Sequence, residues 1–152
     1  MVITFIGHSS IFSEKDIKSL VIKHLLDHIR NYESIVCFLG GYGQFDSLCA
    51  HACKELKQIN PRIQTVFVTP YITLSEQEKI KELKESGLYD QVFYPPIENT
   101  PLRYAISKRN EWMIKNSDLI IAYVNKNYGG AYKSLQLAKR QNKHVINICD
   151  LI

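Results

Sequence analysis

The sequence predicts an α/β fold in which helices cover both faces of a mostly parallel sheet of five to six strands. Short apolar runs such as VITFIG and DLIIAYV alternate along the chain with longer segments of helical spacing. These runs are nearly continuous, as is typical of strands that are buried on both faces. The chain has 152 residues and is 45% hydrophobic. It is therefore long enough for one packed core, and we expect a single domain over 1–152.

The predicted elements follow one another in strand–helix order. The first helix carries an apolar stripe behind Ser13 as its N-cap, and the third opens with a capping box of Ser75 and Glu78. This alternation indicates a Rossmann-like three-layer α/β/α domain. The predicted strands are 2–7, 34–40, 63–69, 91–95, 118–124 and 144–149, and the predicted helices are about 13–32, 44–58, 75–87, 101–116 and 130–142.

Composition and charge narrow the class of protein. No apolar run approaches the roughly 20 residues needed to cross a bilayer, and the N-terminus lacks the pattern of a signal peptide, so we expect a cytoplasmic protein with no membrane partner. The four cysteines fall inside predicted elements, which favours reduced packing residues. The net charge is +4 and the lysines are scattered, so we expect an anionic ligand but not a nucleic acid.

Glycines follow three of the predicted strands, at the edge where an open parallel sheet binds its ligands. Glycine lets backbone N–H groups face a ligand, and each loop precedes a helix N-terminus, which attracts anions. Two such loops on one rim predict a phosphorylated ligand. The alternative is that the glycines serve only tight turns. The glycines are Gly7, then Gly40, Gly41 and Gly43, and then Gly129 and Gly130.

The loop GYGQFD nearly matches the dinucleotide fingerprint G-x-G-x-x-G, but Asp46 stands in the place of the third glycine. That glycine permits close helix–strand packing, so a nicotinamide-dependent dehydrogenase is disfavoured. Asp46 could interact with the first turn of the following helix or accept hydrogen bonds from ribose hydroxyls, and the sequence leaves both roles open. Arg109, before the fifth strand, could bind a phosphate bidentately or lie on the surface.

Two histidine- and cysteine-containing segments resemble metal-binding patterns. HLLDH places His24 and His28 on one helix face, but no third ligand is evident. In CAHAC, the two cysteines lie on the apolar side of a predicted helix, whereas His51 points away. We therefore predict no metal site.

The order IGHS, then GGYGQFD, then RNEWM, SDLIIAYV and YGG resembles the SLOG superfamily over nearly the whole chain. That group is named for the Smf/DprA DNA-processing proteins and the lonely-guy cytokinin-activating enzymes, and the resemblance is strongest to its small stand-alone bacterial and phage members. Lonely-guy enzymes carry R-x-x-x-M before an apolar strand and then G-G-x-G-T-x-x-E. Arg109 and Met113 match the first pattern, and Gly129 and Gly130 match the paired glycines.

The loops and this resemblance together predict the residues that bind the ligand. The resemblance also implies a homo-oligomer, because small members often complete their pockets by pairing. No cofactor is expected. The predicted ligand-binding residues are Gly7, His8, Ser9, Gly40, Gly41, Tyr42, Gly43, Asp46, Arg109, Asn110, Tyr128, Gly129 and Gly130.

The chain departs from the lonely-guy pattern at three positions. Tyr132 replaces the third glycine, Lys133 the threonine, and Gln136 the glutamate that is linked to N-glycosidic cleavage. A glutamine cannot ionise to act as a base or to stabilise developing positive charge. The main hypothesis is therefore a protein that binds a small-molecule nucleotide or nucleotide derivative, possible NAD products included, as a sensor or by sequestering it.

Two other functions stay open at this stage. An enzyme acting on a nucleotide N-glycosidic bond, a phosphoribohydrolase or deoxyribosyltransferase, would need Asp46 or Glu111 to supply the carboxylate. A DNA-processing accessory protein is disfavoured, because the sequence shows no dense basic stripe.

Overall fold

The six strands of the computed structural model lie parallel to one another in one sheet, and the model describes every residue from Met1 to Ile152. The predicted fold class is therefore confirmed. In chain order the strands are β1 (Val2–Gly7), β2 (Ile35–Leu39), β3 (Ile63–Val68), β4 (Gln91–Phe93), β5 (Leu119–Tyr123) and β6 (His144–Asn147). Their order across the sheet is β4-β3-β2-β1-β5-β6.

Five α-helices connect the strands. They are α1 (Glu14–Ile29), α2 (Gly43–Ile59), α3 (Leu74–Glu85), α4 (Ala105–Lys115) and α5 (Gly130–Arg140), and 3₁₀ turns occupy Leu102–Tyr104 and Ile148–Leu151. None of these helices combines the length and the apolar character that a membrane span requires.

The helices divide between the two faces of the sheet. Alternate residues of β5 show this directly, because Ile121 belongs to the large core cluster under α1 and α2, whereas Ile120 packs with Ile114 of α4 and Ala138 of α5. The face of α2 that the sequence predicts as apolar is buried, and Cys49 and Cys53 on it are free thiols. Three layers result, with helices on both sides of the sheet.

Both predicted helix caps differ from the structure. Ser13 precedes α1 in a left-handed conformation with φ 52°, and its backbone carbonyl, not its side chain, accepts bonds from the first turn. Helix α3 begins one residue early, behind Thr73. The hydroxyls of Thr73 and Ser75 lie 3.1 Å apart and bond to each other, so the capping box of Ser75 and Glu78 does not form. Hydroxyl groups near a helix start have several such local partners.

The strand order creates a switch point at the centre of the sheet. From β1 the chain proceeds through β2, β3 and β4 towards one edge, and then returns to the other side of β1 through β5 and β6. Loops at the carboxyl ends of β1 and β5 therefore diverge, and crevices that bind ligands form at such points.

Candidate functional site

A crevice of about 200 Å³ lies beyond the carboxyl ends of β1 and β2, and the start of α5 closes one side of it. The glycine loops that the sequence singled out thus meet at one place, as the strand pattern predicts. Apolar side chains that the prediction missed complete the lining, among them Phe5, Ile106 and Met113. The predicted residues that line the crevice are Gly7, Ser9, Gly40, Tyr42, Gly43, Asp46, Arg109, Asn110 and Gly130.

Four predicted residues do not line the crevice, namely His8, Gly41, Tyr128 and Gly129. His8 is directed to the β5 loop, where its Nε2 accepts a hydrogen bond from the N–H of Asn125 at 3.1 Å. Burial lowers the pKa of His8, which suits a neutral ring that accepts this bond. Tyr128 is 66% exposed on its loop. These four residues therefore lie outside the crevice, and ligand contact at them stays a prediction.

The glycine loop after β2 owes its composition partly to packing within the protein. Gly41 has φ 75°, and a Cβ there would lie 2.0 Å from the ring of Phe67. Gly43 has φ 86°, and a Cβ there would lie 2.9 Å from the Cα of Ser9. A side chain at either position would meet both a left-handed backbone and a steric clash. The tight-turn interpretation of these two glycines therefore accounts for them.

Arg109 is buried, with 2% of its surface exposed, and so it is not the surface residue of the alternative interpretation. Its Nη1 donates to the carbonyls of Gly40 at 2.8 Å and Val68 at 2.6 Å, and its Nε donates to Oδ1 of Asn110 at 2.9 Å. The guanidinium thus joins the carboxyl ends of β2 and β3 to α4. With these donors engaged, only Nη2 is left to contact a ligand in the crevice.

Asp46 lies beside Arg109 in the first turn of α2. Its Oδ2 accepts a hydrogen bond from the backbone N–H of Tyr42 at 3.2 Å, so the carboxyl serves its own loop. Desolvation raises the pKa of Asp46 to about 7, although the Arg109 guanidinium and the Tyr42 N–H act in the opposite direction. As the pH falls below about 7, the carboxyl group in the crevice therefore becomes mainly uncharged.

Tyr42 joins the β2 loop to α3. Its hydroxyl donates to Oε2 of Glu76 at 3.2 Å, and the Nζ of Lys79 lies 3.3 Å from its ring centroid. Desolvation and the Glu76 carboxylate raise the pKa of Tyr42 to about 12, so it remains a neutral phenol. The hydroxyl of Tyr42 and the face of its ring thus both contact α3, and these contacts fix the position of the loop after β2.

A groove of about 750 Å³ runs between α4 and α5 and adjoins the crevice. The two cavities share Ile106, Asn110 and Gly130 in their linings. Three cationic side chains line the groove and none makes a salt bridge within the protein, namely Arg103, Lys133 and Arg140.

Lys133 and Arg140 both lie on α5. Their spacing of seven residues places both on one side of a helix, a signal that was present in the sequence. Arg103 joins them only through the packing of α4 against α5. Three of the 19 Lys and Arg residues of the chain are therefore brought together at this groove.

The two carboxylate candidates for catalysis lie in different cavities. Asp46 lines the crevice, whereas Glu111 lines the groove, where it forms a salt bridge of 3.3 Å with Lys108. Gln136, the position matched to the family glutamate, also lies in the groove. Asp46 and Glu111 therefore do not line the same cavity. The structure also shows no cluster of three or more His, Cys, Asp or Glu residues that could hold a metal ion.

No model of a known protein family matches the sequence, and no curated protein matches it. Two solved structures share its fold. DNA processing protein A (DprA) from Streptococcus pneumoniae is 14% identical with a TM-score of 0.66, over 94% of this chain and 48% of that one. DprA from Helicobacter pylori is 15% identical with a TM-score of 0.62, over 95% of this chain and 63% of that one. The chain thus spans about half to three fifths of these proteins, and it has the DprA-like fold that the SLOG resemblance implies.

The comparison corrects one prediction. The sequence led us not to expect nucleic acid as a partner, yet both solved structures are DNA processing proteins. The Helicobacter pylori structure is described as showing a unique mode of single-stranded DNA binding. The expectation was wrong because it rested on the linear spacing of the cations, whereas the fold places Arg103, Lys133 and Arg140 at one groove.

Proposed function

We propose that the protein binds single-stranded DNA, with a phosphate of the strand held in the crevice at the carboxyl edge of the sheet. The observation that carries the proposal is the start of α5, whose first residues Gly130 and Ala131 line the crevice opposite the buried guanidinium of Arg109. The fold shared with DprA over nearly the whole chain supports the same partner.

The chemistry of the crevice suits a phosphate group. The first N–H groups of a helix have no acceptor within the helix, and the dipole of the helix favours an anion there. Arg109 adds a positive charge, and its two carbonyl acceptors are neutral. Because burial raises the pKa of Asp46 to about 7, its repulsion of a phosphate weakens as the pH falls below that value.

The crevice by itself is smaller than a typical small-molecule pocket. Its volume of about 200 Å³ is below the range of about 300–1,000 Å³ that is typical of small-molecule pockets. It opens onto the larger groove between α4 and α5. A ligand that places one phosphate in the crevice therefore continues beyond it, as a strand does.

A nucleotide or nucleotide-derived ligand is the second candidate, and the glycine-lined walls on two sides of the crevice favour it. Gly7 and Gly40 form one wall and Gly130 the other. Such a ligand would seat its phosphate at the same helix start and leave its base in the groove. Competition against a labelled strand separates the two candidates. If a mononucleotide displaces that strand at a far lower concentration than the unlabelled strand does, the nucleotide ligand is supported.

Fluorescence anisotropy of a labelled single strand tests the proposal, with a duplex of the same sequence as comparison. We expect saturable binding of the single strand that is tighter than binding of the duplex and that weakens with salt. Gly130 allows a matched pair of variants, because a Cβ there meets no atom within 4 Å and its φ is not positive. Gly130→Asp should abolish most binding and Gly130→Asn should retain it. Equal effects of the two variants, or no preference for the single strand, would refute the proposal.

A further inference from the structure

The groove between α4 and α5 extends well past the crevice. A third cavity of about 400 Å³ continues it, sharing Glu111 and Leu137 with the groove and ending beside Trp112 and Lys115. Helix α4 has 11 residues and is therefore about 16 Å long. The connected cavities follow this helix from the carboxyl edge of the sheet towards the opposite edge.

The charges along this path favour a polyanion. Arg103, Lys133 and Arg140 are exposed and make no salt bridge. The one acidic residue in the lining, Glu111, is paired with Lys108. A negatively charged chain in the groove would therefore meet several cations and no uncompensated carboxylate.

Apolar surface lies between the cations, as an unpaired strand requires. Ile106 is 42% exposed at the end of the groove that joins the crevice, and Leu137 lies between the groove and the third cavity. The ring of Trp112 lines the third cavity and packs on Phe38 and Phe93 from below, with centroids 5.3 and 4.9 Å away. Bases of a single strand can contact such surface, whereas a duplex keeps its bases stacked inside.

From these observations we propose that the α4–α5 groove is a second binding segment for the same strand. The phosphodiester backbone leaves the crevice at Asn110 and Gly130, passes between Arg103, Lys133 and Arg140, and ends beside Trp112. This inference rests on the proposed function and adds to it the course of the strand beyond the crevice. A longer strand contacts more of the groove, so the groove contributes more to its affinity.

Trp112 is the sole tryptophan of the chain, so its fluorescence reports on the far end of the groove alone. Unlabelled oligothymidylates of about 4 and about 16 nucleotides cover the range of site sizes of small single-strand-binding folds. We expect the longer strand to change the fluorescence of Trp112 and the shorter one to leave it nearly unchanged. Anisotropy with the same two strands, labelled, measures binding to the whole protein in parallel.

A charge-reversed variant, Lys133→Glu with Arg140→Glu, should weaken binding of the longer strand at least about tenfold and that of the shorter strand much less. The matched control is Lys81→Glu with Lys84→Glu, since both lysines are exposed on α3 on the other side of the sheet. The groove is not the path of the strand if three results coincide. The longer strand binds in the anisotropy assay, the fluorescence of Trp112 stays unchanged, and the groove variant weakens binding no more than the control variant does. If neither strand binds at all, the proposed function itself fails.

Discussion

The guanidinium of Arg109 donates from Nη1 to the backbone carbonyl of Gly40 over 2.8 Å, which joins α4 to the glycine loop after β2. The same nitrogen donates to Val68 at the end of β3. One buried cation therefore sets the positions of two strand ends and of the helix that separates the crevice from the groove. Arg109 therefore positions the loop and supplies positive charge to the site, and it is not free to bind a phosphate bidentately.

Replacing Arg109 with alanine should reduce the free energy of unfolding by about 3 kcal/mol. Two buried carbonyls lose their donor, and an unsatisfied buried group costs about 1–3 kcal/mol. Urea unfolding measures the change. Arg103→Ala is the control, because this exposed arginine should change stability by less than about 0.5 kcal/mol. Equal stabilities of the two variants would show that the buried hydrogen bonds contribute little.

Alanine at Gly41 should destabilise the protein, whereas alanine at Gly130 should not. The left-handed backbone at Gly41 costs about 1–2 kcal/mol for an ordinary residue, and the ring of Phe67 would have to move in addition. At Gly130 the Cβ is free of contacts, and alanine reduces the conformational freedom of the unfolded chain, which stabilises by about 0.4–1 kcal/mol. In thermal unfolding, we expect a lower Tm for Gly41→Ala and an equal or higher Tm for Gly130→Ala than for the wild type. A tolerated Gly41→Ala would contradict the packing described for this loop.

The stability of the protein should fall as the pH rises from about 4 to about 7, through Asp46. The pKa of this carboxyl is about 7 in the folded protein and 3.8 ordinarily, so in this range the folded state holds a proton that the unfolded state has lost. The stabilisation is complete below about pH 4, and each unit of pKa difference corresponds to about 1.4 kcal/mol.

Urea unfolding of Asp46→Asn across the same range tests this dependence on pH. Asparagine keeps an oxygen that can accept the bond from the Tyr42 N–H, but it does not titrate. The difference in stability between the variant and the wild type should therefore change with pH. If the free energy of unfolding changes with pH in the same way for the variant and the wild type, the carboxyl of Asp46 titrates at its ordinary value.

Most of the fold could be predicted from the sequence because its signals are local. The strands and the apolar face of α2 follow from the period of hydrophobic residues, and parallel strands necessarily bring their carboxyl ends, and the loops at Gly40 and Gly130, to one edge. The caps at Ser13 and Ser75 could not be predicted in detail, since a hydroxyl near a helix start has several competing partners.

The site was predicted only in part, because its remaining features depend on distant contacts. Arg109 is buried by strand ends that lie 41 and 69 residues away in the chain. His8 turns to Asn125, 117 residues away. The packing of α4 against α5 brings Arg103 to the groove, and no periodicity in the sequence predicts this packing. The expected self-association of the chain stays a prediction.

The salt dependence of binding should identify the cations that contact phosphates. For a single strand, each phosphate neutralised contributes about −0.7 to the slope of log K against log salt concentration. Arg103→Ala should therefore make the slope shallower by about that amount and weaken binding at low salt. The measurement is anisotropy over a series of salt concentrations, with Lys81→Ala as the control. An unchanged slope for Arg103→Ala would place this residue outside the path of the strand.

Amide NMR spectra of the ¹⁵N-labelled protein, recorded during titration with an unlabelled single strand, test the central claim most directly. The claim is that the strand binds at the carboxyl edge of the sheet. We predict that the signals that move first and furthest are those of Ser9, Gly43 and Gly130 around the crevice, followed by residues of α4 and α5 along the groove. Shifts confined to α1 and α3, or an unchanged spectrum at a large excess of DNA, would contradict the account.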